Sequence, residues 1–245
     1  MGPYAIIGNP VKASMSPLLF RAAYPQAREG TYGVLEVSDA AAGWKQVLKL
    51  DLEGVNVTMP FKKDLLKVAD VVTAGAYKAG ATNLLVRQNG LWMACNTDIY
   101  GVVQSFAGSG TDPGGKTALV IGAGGAGQAA AVGLKQAGAT VFIANRTVKK
   151  GLLPLSDIPM IISQCDLIVN TIPWDIVAAG RLGLERKHTL LDASYTLRPL
   201  HDAAAHAGAR YLNGYHWLYH QAVEGFMILT GLVPDRNAMR SLLDL

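Results

Sequence analysis

This sequence predicts an α/β protein with a mostly parallel sheet, and three observations carry that expectation. Short apolar runs suited to strands alternate with helix-forming segments along the chain. Near its middle, Thr117-Ala-Leu-Val-Ile-Gly122-Ala-Gly124-Gly125-Ala-Gly127 passes from an apolar run through glycines into an alanine-rich helix former. Just before it, Gly108-Ser-Gly-Thr-Asp-Pro-Gly-Gly115 reads as a hinge or linker. At 245 residues the chain lies between one large and two small domains.

Taken in order, residues 4–8 form the first expected strand, stopped by Asn9-Pro10. Ser16-Pro17 suits an N-cap followed by proline at the first helical position, opening a helix through Tyr24. Residues 31–37 read as a strand, and Ser38-Asp39 cap a helix with Trp44, Val47 and Leu48 at helical spacing. Residues 54–58 are a short strand broken by Met59-Pro60, and residues 62–72 are expected to be helical. Residues 81–87 and 91–95 make a hairpin across Gln88-Asn89-Gly90. After the glycine turn come a helix at 128–136 and a strand at 140–144. Between Lys150 and Asp166 only a short segment, interrupted by Pro154 and Pro159, leads to a strand at 167–171. A strand at 189–193, a helix near 200–207 and a short edge strand at 211–214 follow. The chain ends in a long helix at 215–230, closed by Gly231, and a helix capped by Asp235.

Half of the residues are hydrophobic and 16% are charged, which suits a well-filled core and argues against disorder. The net charge of +4 is modest and the basic residues are scattered, so nucleic acid is not implied. Cys95 and Cys165 have no metal or redox spacing and fit free thiols of a reducing compartment. The N-terminal apolar run is too short for a signal peptide, and no stretch approaches the roughly 18 apolar residues of a membrane helix. A soluble, cytoplasmic protein is expected, with no membrane partner.

Gly122, Gly124 and Gly127 stand at G-x-G-x-x-G spacing between a strand and a helix, the context a dinucleotide fingerprint requires. Gly122 allows the tight turn, Gly124 lets the backbone approach a pyrophosphate, and Gly127 lets helix and strand pack closely. The helix N-terminus adds unpaired N–H groups and a positive dipole end. NAD sites carry an acid about 20 residues on, to hold the ribose 2′-hydroxyl. Here Asn145-Arg146-Thr147 takes that place, with Lys149 and Lys150 beyond. An acid would repel a 2′-phosphate, whereas arginine grips it with two hydrogen bonds, so NADP is the expected cofactor.

The glycine turn says nothing of the reaction. Before the linker, Ser14, Ser16, Asn56, Thr58, Lys62, Asn83, Asn96 and Asp98 collect at strand ends and loops, which face the ligand crevice in open α/β sheets. Hydroxyls and amides there suit a small hydroxylated or carboxylated substrate, each supplying a directional hydrogen bond. Hydride transfer at a carbonyl carbon needs a proton at the oxygen, and Lys62 with Asp98 is the candidate acid/base pair.

Several motifs extend this. Gly8-Asn-Pro-Val-Lys-Ala-Ser14-Met-Ser16-Pro17, Gly54-Val-Asn56-Val-Thr58-Met-Pro60-Phe-Lys62, Gly80-Ala-Thr-Asn83 and Asn96-Thr-Asp98 resemble the successive substrate motifs of the shikimate dehydrogenase family. Gly122 to Gly127 and Asn145-Arg146-Thr147 resemble its NADP motifs. Asp166-Leu-Ile-Val-Asn170-Thr171-Ile-Pro173 and Gly214…Gln221-Ala222…Gly231 resemble its C-terminal ones. The resemblance runs over nearly the whole chain, in the family's order.

It implies NADP-dependent, reversible reduction of 3-dehydroshikimate to shikimate, in aromatic amino-acid and chorismate synthesis. Ser14 and Ser16 would hold the substrate carboxylate, and Thr58, Asn83 and Gln221 the ring hydroxyls and carboxylate, with Asn56 and Tyr195 nearby. Lys62 would move the proton within a network shared with Asp98. Gly124, Gly125 and Ala126 would meet the pyrophosphate, and Asn145, Arg146, Thr147 and Lys150 the 2′-phosphate. Gly214 would lie against the nicotinamide. The implied fold is an N-terminal α/β substrate domain plus a Rossmann-type doubly wound nucleotide domain, the C-terminal helices returning to the first. The expected bounds are 1–103 with 218–245 for the substrate domain and 104–217 for the NADP domain, as a monomer or homodimer.

The sequence also departs from the family pattern. Ala13 replaces a frequent histidine, Leu84 a usual threonine, Ala94 and Ile99 usual glycines, and Trp174 a small residue. His216-Trp217 occupies a region that usually carries methionine, and the segment after Lys150 is short, as if a helix were trimmed. These changes bear on substrate preference more than on reaction type. A relative acting on quinate or another cyclic hydroxy acid, perhaps with NAD, and a nucleotide sensor without turnover are the competing readings. Arg146 argues against NAD, and the Lys62/Asp98 pair argues against a sensor. His216, His220 and Glu224 recur on one face of the last long helix, but they lack H-E-x-x-H, and no metal is expected.

Overall fold

The computed structural model describes residues 2–172, 182–195, 198 and 200–245. The chain parts into two units, one running to Thr97 and resuming at Gln221, the other taking Asp98–His220. The first unit contains β1 (Tyr4–Gly8), α1 (Ser16–Ala23), β2 (Tyr32–Glu36), α2 (Ala40–Lys49), β3 (Gly54–Val57), β4 (Val71–Val72), α3 (Ala74–Ala79), β5 (Leu84–Gln88) and β6 (Leu91–Cys95). Its sheet has the order β2-β1-β3-β5-β6-β4. β1 is parallel to β2 and β3, and β5 runs antiparallel to β3 and β6.

Side chains alternate across this sheet, as a period of two requires. Ala5 and Ile7 of β1, Val55 and Val57 of β3, and Leu85 of β5 fall in one buried cluster with Val47 of α2. Trp44 and Trp92 meet there edge to face, ring centres 4.9 Å apart. Each fully buried aliphatic side chain of this kind stabilises the fold by about 1.5–3 kcal/mol. The intervening residues face the other way: Tyr4, Tyr32, Leu84 and Cys95 pack with Leu229 from the returning C-terminal helix. The β5–β6 turn places Asn89 (φ 51°) and Gly90 (φ 81°) in the left-handed region, as a type I′ hairpin demands.

Two local expectations are overturned. Ser16 is the first helical residue rather than the cap; Met15 holds the cap position, and Ser14 Oγ accepts the Ser16 N–H at 3.2 Å. Residues 62–72 are not an α-helix. Only Leu65–Val68 makes a short 3₁₀ turn, after which β4 pairs parallel with β6. Asp70 exchanges hydrogen bonds with the Trp92 backbone, its N–H to the carbonyl at 2.9 Å and its carboxylate to the N–H at 2.8 Å. That pairing draws the two following valines into the sheet and overrides local helix propensity.

The second unit contains α4 (Asp98–Gly108), β7 (Thr117–Ile121), α5 (Gly125–Gln136), β8 (Thr140–Asn145), β9 (Leu153–Pro154), the single turn α6 (Ile158–Ile161), β10 (Leu167–Asn170), β11 (Thr189–Asp192), α7 (His201–Ala207) and β12 (Arg210–Leu212). α8 (Gly214–Thr230) begins here and ends in the first unit, where α9 (Arg236–Leu242) also lies. All pairings in the order β12-β11-β10-β7-β8-β9 are parallel. This is a doubly wound Rossmann sheet whose order reverses between β7 and β10. Val102 and Phe106 of α4, Leu134 of α5 and Trp217 of α8 cover one face. Ile158, Ile162 and Leu200 cover the other. No crossover helix follows Lys150: residues 146–152 loop directly into β9, which aligns Leu153 with Ala144.

The glycine-rich segment 108–115 does not mark the passage between the units, contrary to expectation. It joins α4 to β7 inside the second unit, and the chain passes from one unit to the other at Thr97/Asp98. The cause is α4, whose Val102 and Phe106 are fully buried in the second core. A Cβ on Gly133 of α5 would come within 2.6 Å of the Ile99 carbonyl, so α4 and α5 pack at backbone distance. The return passage falls at His220/Gln221, within α8, rather than at the expected 217/218. Trp217 belongs to the second core, donating its indole N–H to the Asp98 carbonyl at 2.9 Å. Among the described residues, no helix is long and apolar enough to cross a membrane.

Candidate functional site

In the first unit, β1 and β3 run parallel, so their C-terminal ends release two loops at the same sheet edge. Thr58 N–H donates to the Ile7 carbonyl at 2.9 Å and Asn9 N–H to the Met59 carbonyl at 3.0 Å, which binds the loops together. One loop carries Ser14, and the other carries Thr58 and Lys62. A Cβ on Gly8 would lie 2.3 Å from the Thr58 methyl, so only glycine permits that contact. The Lys62 carbonyl accepts the Thr82 N–H at 2.9 Å, which sets the lysine backbone beside the residue preceding Asn83.

Asn83 and Thr97 flank the open end of the β5–β6 hairpin. Thr97 N–H donates to Asn83 Oδ1 at 2.8 Å, and Asn83 Nδ2 donates back to Thr97 Oγ1 at 2.9 Å. This reciprocal pair leaves one orientation for the Asn83 amide. Gln221 of α8 presents Oε1 to both groups, 3.3 Å from Asn83 Nδ2 and 3.3 Å from Thr97 Oγ1. Asn56 Nδ2 reaches the Asn83 carbonyl at 3.4 Å, and Asn56 Oδ1 accepts the Tyr32 hydroxyl at 2.7 Å. Ser14 Oγ donates to Ser16 Oγ at 3.2 Å. Burial pushes the Tyr32 hydroxyl far above the ordinary phenol range, so it stays protonated and able to donate.

Tyr32, Asn56, Asn83, Thr97 and Gln221 therefore join one connected network, and Ser14 and Ser16 form a separate pair. Ser16, Tyr32, Asn56 and Gln221 line a pocket together with Phe20, Phe226 and other apolar residues. A few directional polar groups among hydrocarbon suit a small ring bearing hydroxyls and a carboxylate.

In the second unit, β7 ends in Gly122 (φ 106°), where a Cβ would stand 2.3 Å from Thr171 Oγ1. The Thr171 hydroxyl donates to the Ile121 carbonyl at 2.8 Å, tying the ends of β7 and β10 together at the reversal of strand order. A Cβ on Gly127 would fall 2.0 Å from the Gly122 carbonyl oxygen, so α5 is packed onto the turn as close as glycine allows. Gly124, by contrast, has no atom within 4 Å of its would-be Cβ. Its backbone faces open space at the N-terminus of α5, where no side chain caps the helix. Phosphate oxygens fit that cradle of N–H groups. Asn145 Oδ1 accepts the Ala123 N–H at 3.2 Å, and Asn145 Nδ2 donates to the Thr147 carbonyl at 2.9 Å. One side chain thus ties the glycine turn to the exposed loop of Arg146, Thr147 and Lys150. The residues present fit a dinucleotide with a 2′-phosphate.

Gly214 opens α8, where a Cβ would meet the Ala193 carbonyl at 2.6 Å. Tyr195 stacks on Tyr215 with ring centres 5.2 Å apart, and burial raises its hydroxyl pKa. Asp98 is buried at the first position of α4.

The substrate-binding-domain model of shikimate dehydrogenase matches residues 6–85. Shikimate dehydrogenase (NADP(+)) of Archaeoglobus fulgidus is 35% identical over 264 residues, covering 96% of this chain and 95% of that protein. This chain belongs to the shikimate dehydrogenase family. The crystal structure of shikimate dehydrogenase from Aquifex aeolicus superposes with a TM-score of 0.89 at 28% identity, covering 99% of this chain and 97% of that one. That of the Thermus thermophilus enzyme, in complex with NADP(H) and shikimate, gives 0.83 at 28% identity, covering 98% of each chain.

Several departures from the family pattern have structural reasons. Leu84 is wholly buried beside Leu229, Ala94 is wholly buried among the sheet residues of the other face, and Trp217 fills the second core. Trp174, Pro173 and Pro199 lie outside the described residues. Among the described residues, no group of histidines, cysteines or acids could hold a metal, and His216 instead sets Nδ1 against Asn213 at 3.1 Å. Two residues escaped the sequence reading, Tyr32 and Thr97. Thr97 sits inside the quoted Asn96-Thr-Asp98 motif without being assigned a role. Tyr32 opens a strand, and its signal is a hydroxyl on a core-facing aromatic, which needs a partner when buried.

Proposed function

We propose that this protein reversibly reduces 3-dehydroshikimate to shikimate with NADPH. The observation that carries the reading is the hydrogen-bonded network of Tyr32, Asn56, Asn83 and Gln221 beside the Ser14–Ser16 pair, with Ser16, Asn56 and Gln221 on a largely apolar pocket. It supplies donors for a carboxylate and paired donors and acceptors for ring hydroxyls. Ser14 and Ser16 bind the carboxylate. Thr58, Asn83 and Gln221, with Asn56 and Tyr195, orient the ring. When bound, NADPH supplies the hydride that attacks the ring carbonyl carbon. Lys62 gives a proton to the carbonyl oxygen as it becomes a hydroxyl, and takes it back in the oxidation. Asp98 works with Lys62 in handling that proton.

On the cofactor side, Gly124, Gly125 and Ala126 hold the pyrophosphate through backbone N–H groups. Asn145, Arg146, Thr147 and Lys150 recognise the 2′-phosphate, and Gly214 lies against the nicotinamide. The protein works in the cytoplasm on a small molecule, as a monomer or homodimer.

Replacing Lys62 by alanine tests the proton assignment. General acid–base catalysis contributes typically 10²–10⁴-fold, so kcat should fall by about that factor. NADPH affinity, measured by fluorescence titration, should stay within about twofold, since an uncoupled site adds independently. Turnover near the wild-type rate would remove Lys62 from the mechanism.

A further inference from the structure

Tyr32 and the Asn83 backbone together hold the Asn56 side chain. Tyr32 donates its single proton to Asn56 Oδ1 at 2.7 Å. An amide that meets a donor presents oxygen. The Asn56 nitrogen is thereby turned toward the Asn83 carbonyl at 3.4 Å. A flipped amide would set its oxygen against that carbonyl, two acceptors without a proton between them.

We infer that Tyr32 is a positioning residue for substrate recognition, its hydroxyl fixing the Asn56 amide in one orientation. The inference rests on the proposed reaction, in which Asn56 meets substrate. The geometry suits this role. Tyr32 stands on β2 in the face shared with Asn56 of β3: Tyr4 of β1 pairs with Tyr32 and Ile6 with Asn56, and residues two apart share a face. Its ring packs on Phe20, centres 4.9 Å apart, which leaves the hydroxyl little freedom.

The test is steady-state kinetics of the full-length protein with shikimate and NADP⁺, comparing wild type, Tyr32→Phe, Asn56→Ala and the double variant. Phenylalanine keeps the ring packing and deletes only the hydroxyl. Loss of one buried hydrogen bond predicts a rise of about 3- to 10-fold in the KM for shikimate, with the KM for NADP⁺ unchanged. In the Asn56→Ala background the same substitution should change that KM less than about twofold, because the two residues act as one unit. An unchanged shikimate KM accompanied only by a lower thermal midpoint would overturn the inference, as would equal losses in both backgrounds or failure of Tyr32→Phe to fold. Wild-type protein inert toward shikimate would count against the proposed reaction instead. Shikimate affinity by calorimetry would then judge Tyr32 by the same comparison.

Discussion

In the proposed function, Arg146 is the residue on which cofactor choice turns. It follows β8 in an exposed loop that Asn145 ties to the glycine turn. No acid stands there to take a ribose 2′-hydroxyl, and a guanidinium–phosphate contact is worth more than a neutral hydrogen bond. Arg146→Ala should raise the KM for NADP⁺ roughly 10-fold or more, on the usual strength of charged hydrogen bonds, while changing the KM for NAD⁺ little. Parallel kinetics with the two cofactors check this, and equal losses with both would deny Arg146 its phosphate. At this scale the sequence was most legible where chemistry leaves a spacing signature. The serine pair, Asn56, Asn83 and Gln221 were named from motifs; Asn56, Asn83 and Gln221 lie in one hydrogen-bonded network and the serines in a separate pair. Tyr32 and Thr97 were not legible, because their roles depend on what their hydroxyls meet across strands distant in sequence.

At the scale of the element, the β7–turn–α5 unit separates two jobs that look alike in sequence. Gly127 is demanded by packing, since a Cβ would overlap the Gly122 carbonyl at 2.0 Å. Gly124 faces open space, so no packing contact demands it, and in the proposed function the pyrophosphate does. Gly127→Ala should therefore destabilise the protein by about 1–3 kcal/mol, the usual cost of overpacking a tight contact. Gly124→Ala should leave stability within about 0.5 kcal/mol yet weaken NADP⁺ binding, because the added methyl enters the phosphate path. Thermal melts with and without NADP⁺ distinguish the two. A Gly124→Ala protein with lowered stability and normal cofactor affinity would reverse the assignment. α2 was legible for the physical reason that a helical-period stripe, with Trp44 and Val47 packed in the first core, sets its pattern. Residues 62–72 were not, because Asp70 pairs with the Trp92 backbone and turns Val71 and Val72 into a strand. No local pattern announces a partner that distant.

On the scale of the whole molecule, two α/β units divide the work proposed here, substrate recognition in one and dinucleotide recognition in the other. The class of each sheet followed from strand and helix alternation. The passages between units did not: the glycine-rich stretch 108–115 was the conspicuous break, yet the chain crosses at Thr97/Asp98 because α4 buries Val102 and Phe106 in the second core. Burial, unlike composition, becomes visible only when the helix has found its neighbours. Membership of the shikimate dehydrogenase family holds over nearly the full chain. The specific substrate is the central claim, and one assay addresses it. Purified protein should oxidise NADPH with 3-dehydroshikimate, with little turnover of 3-dehydroquinate and little use of NADH. Tight NADPH binding without turnover of either acid, or a preference for 3-dehydroquinate, would contradict the account.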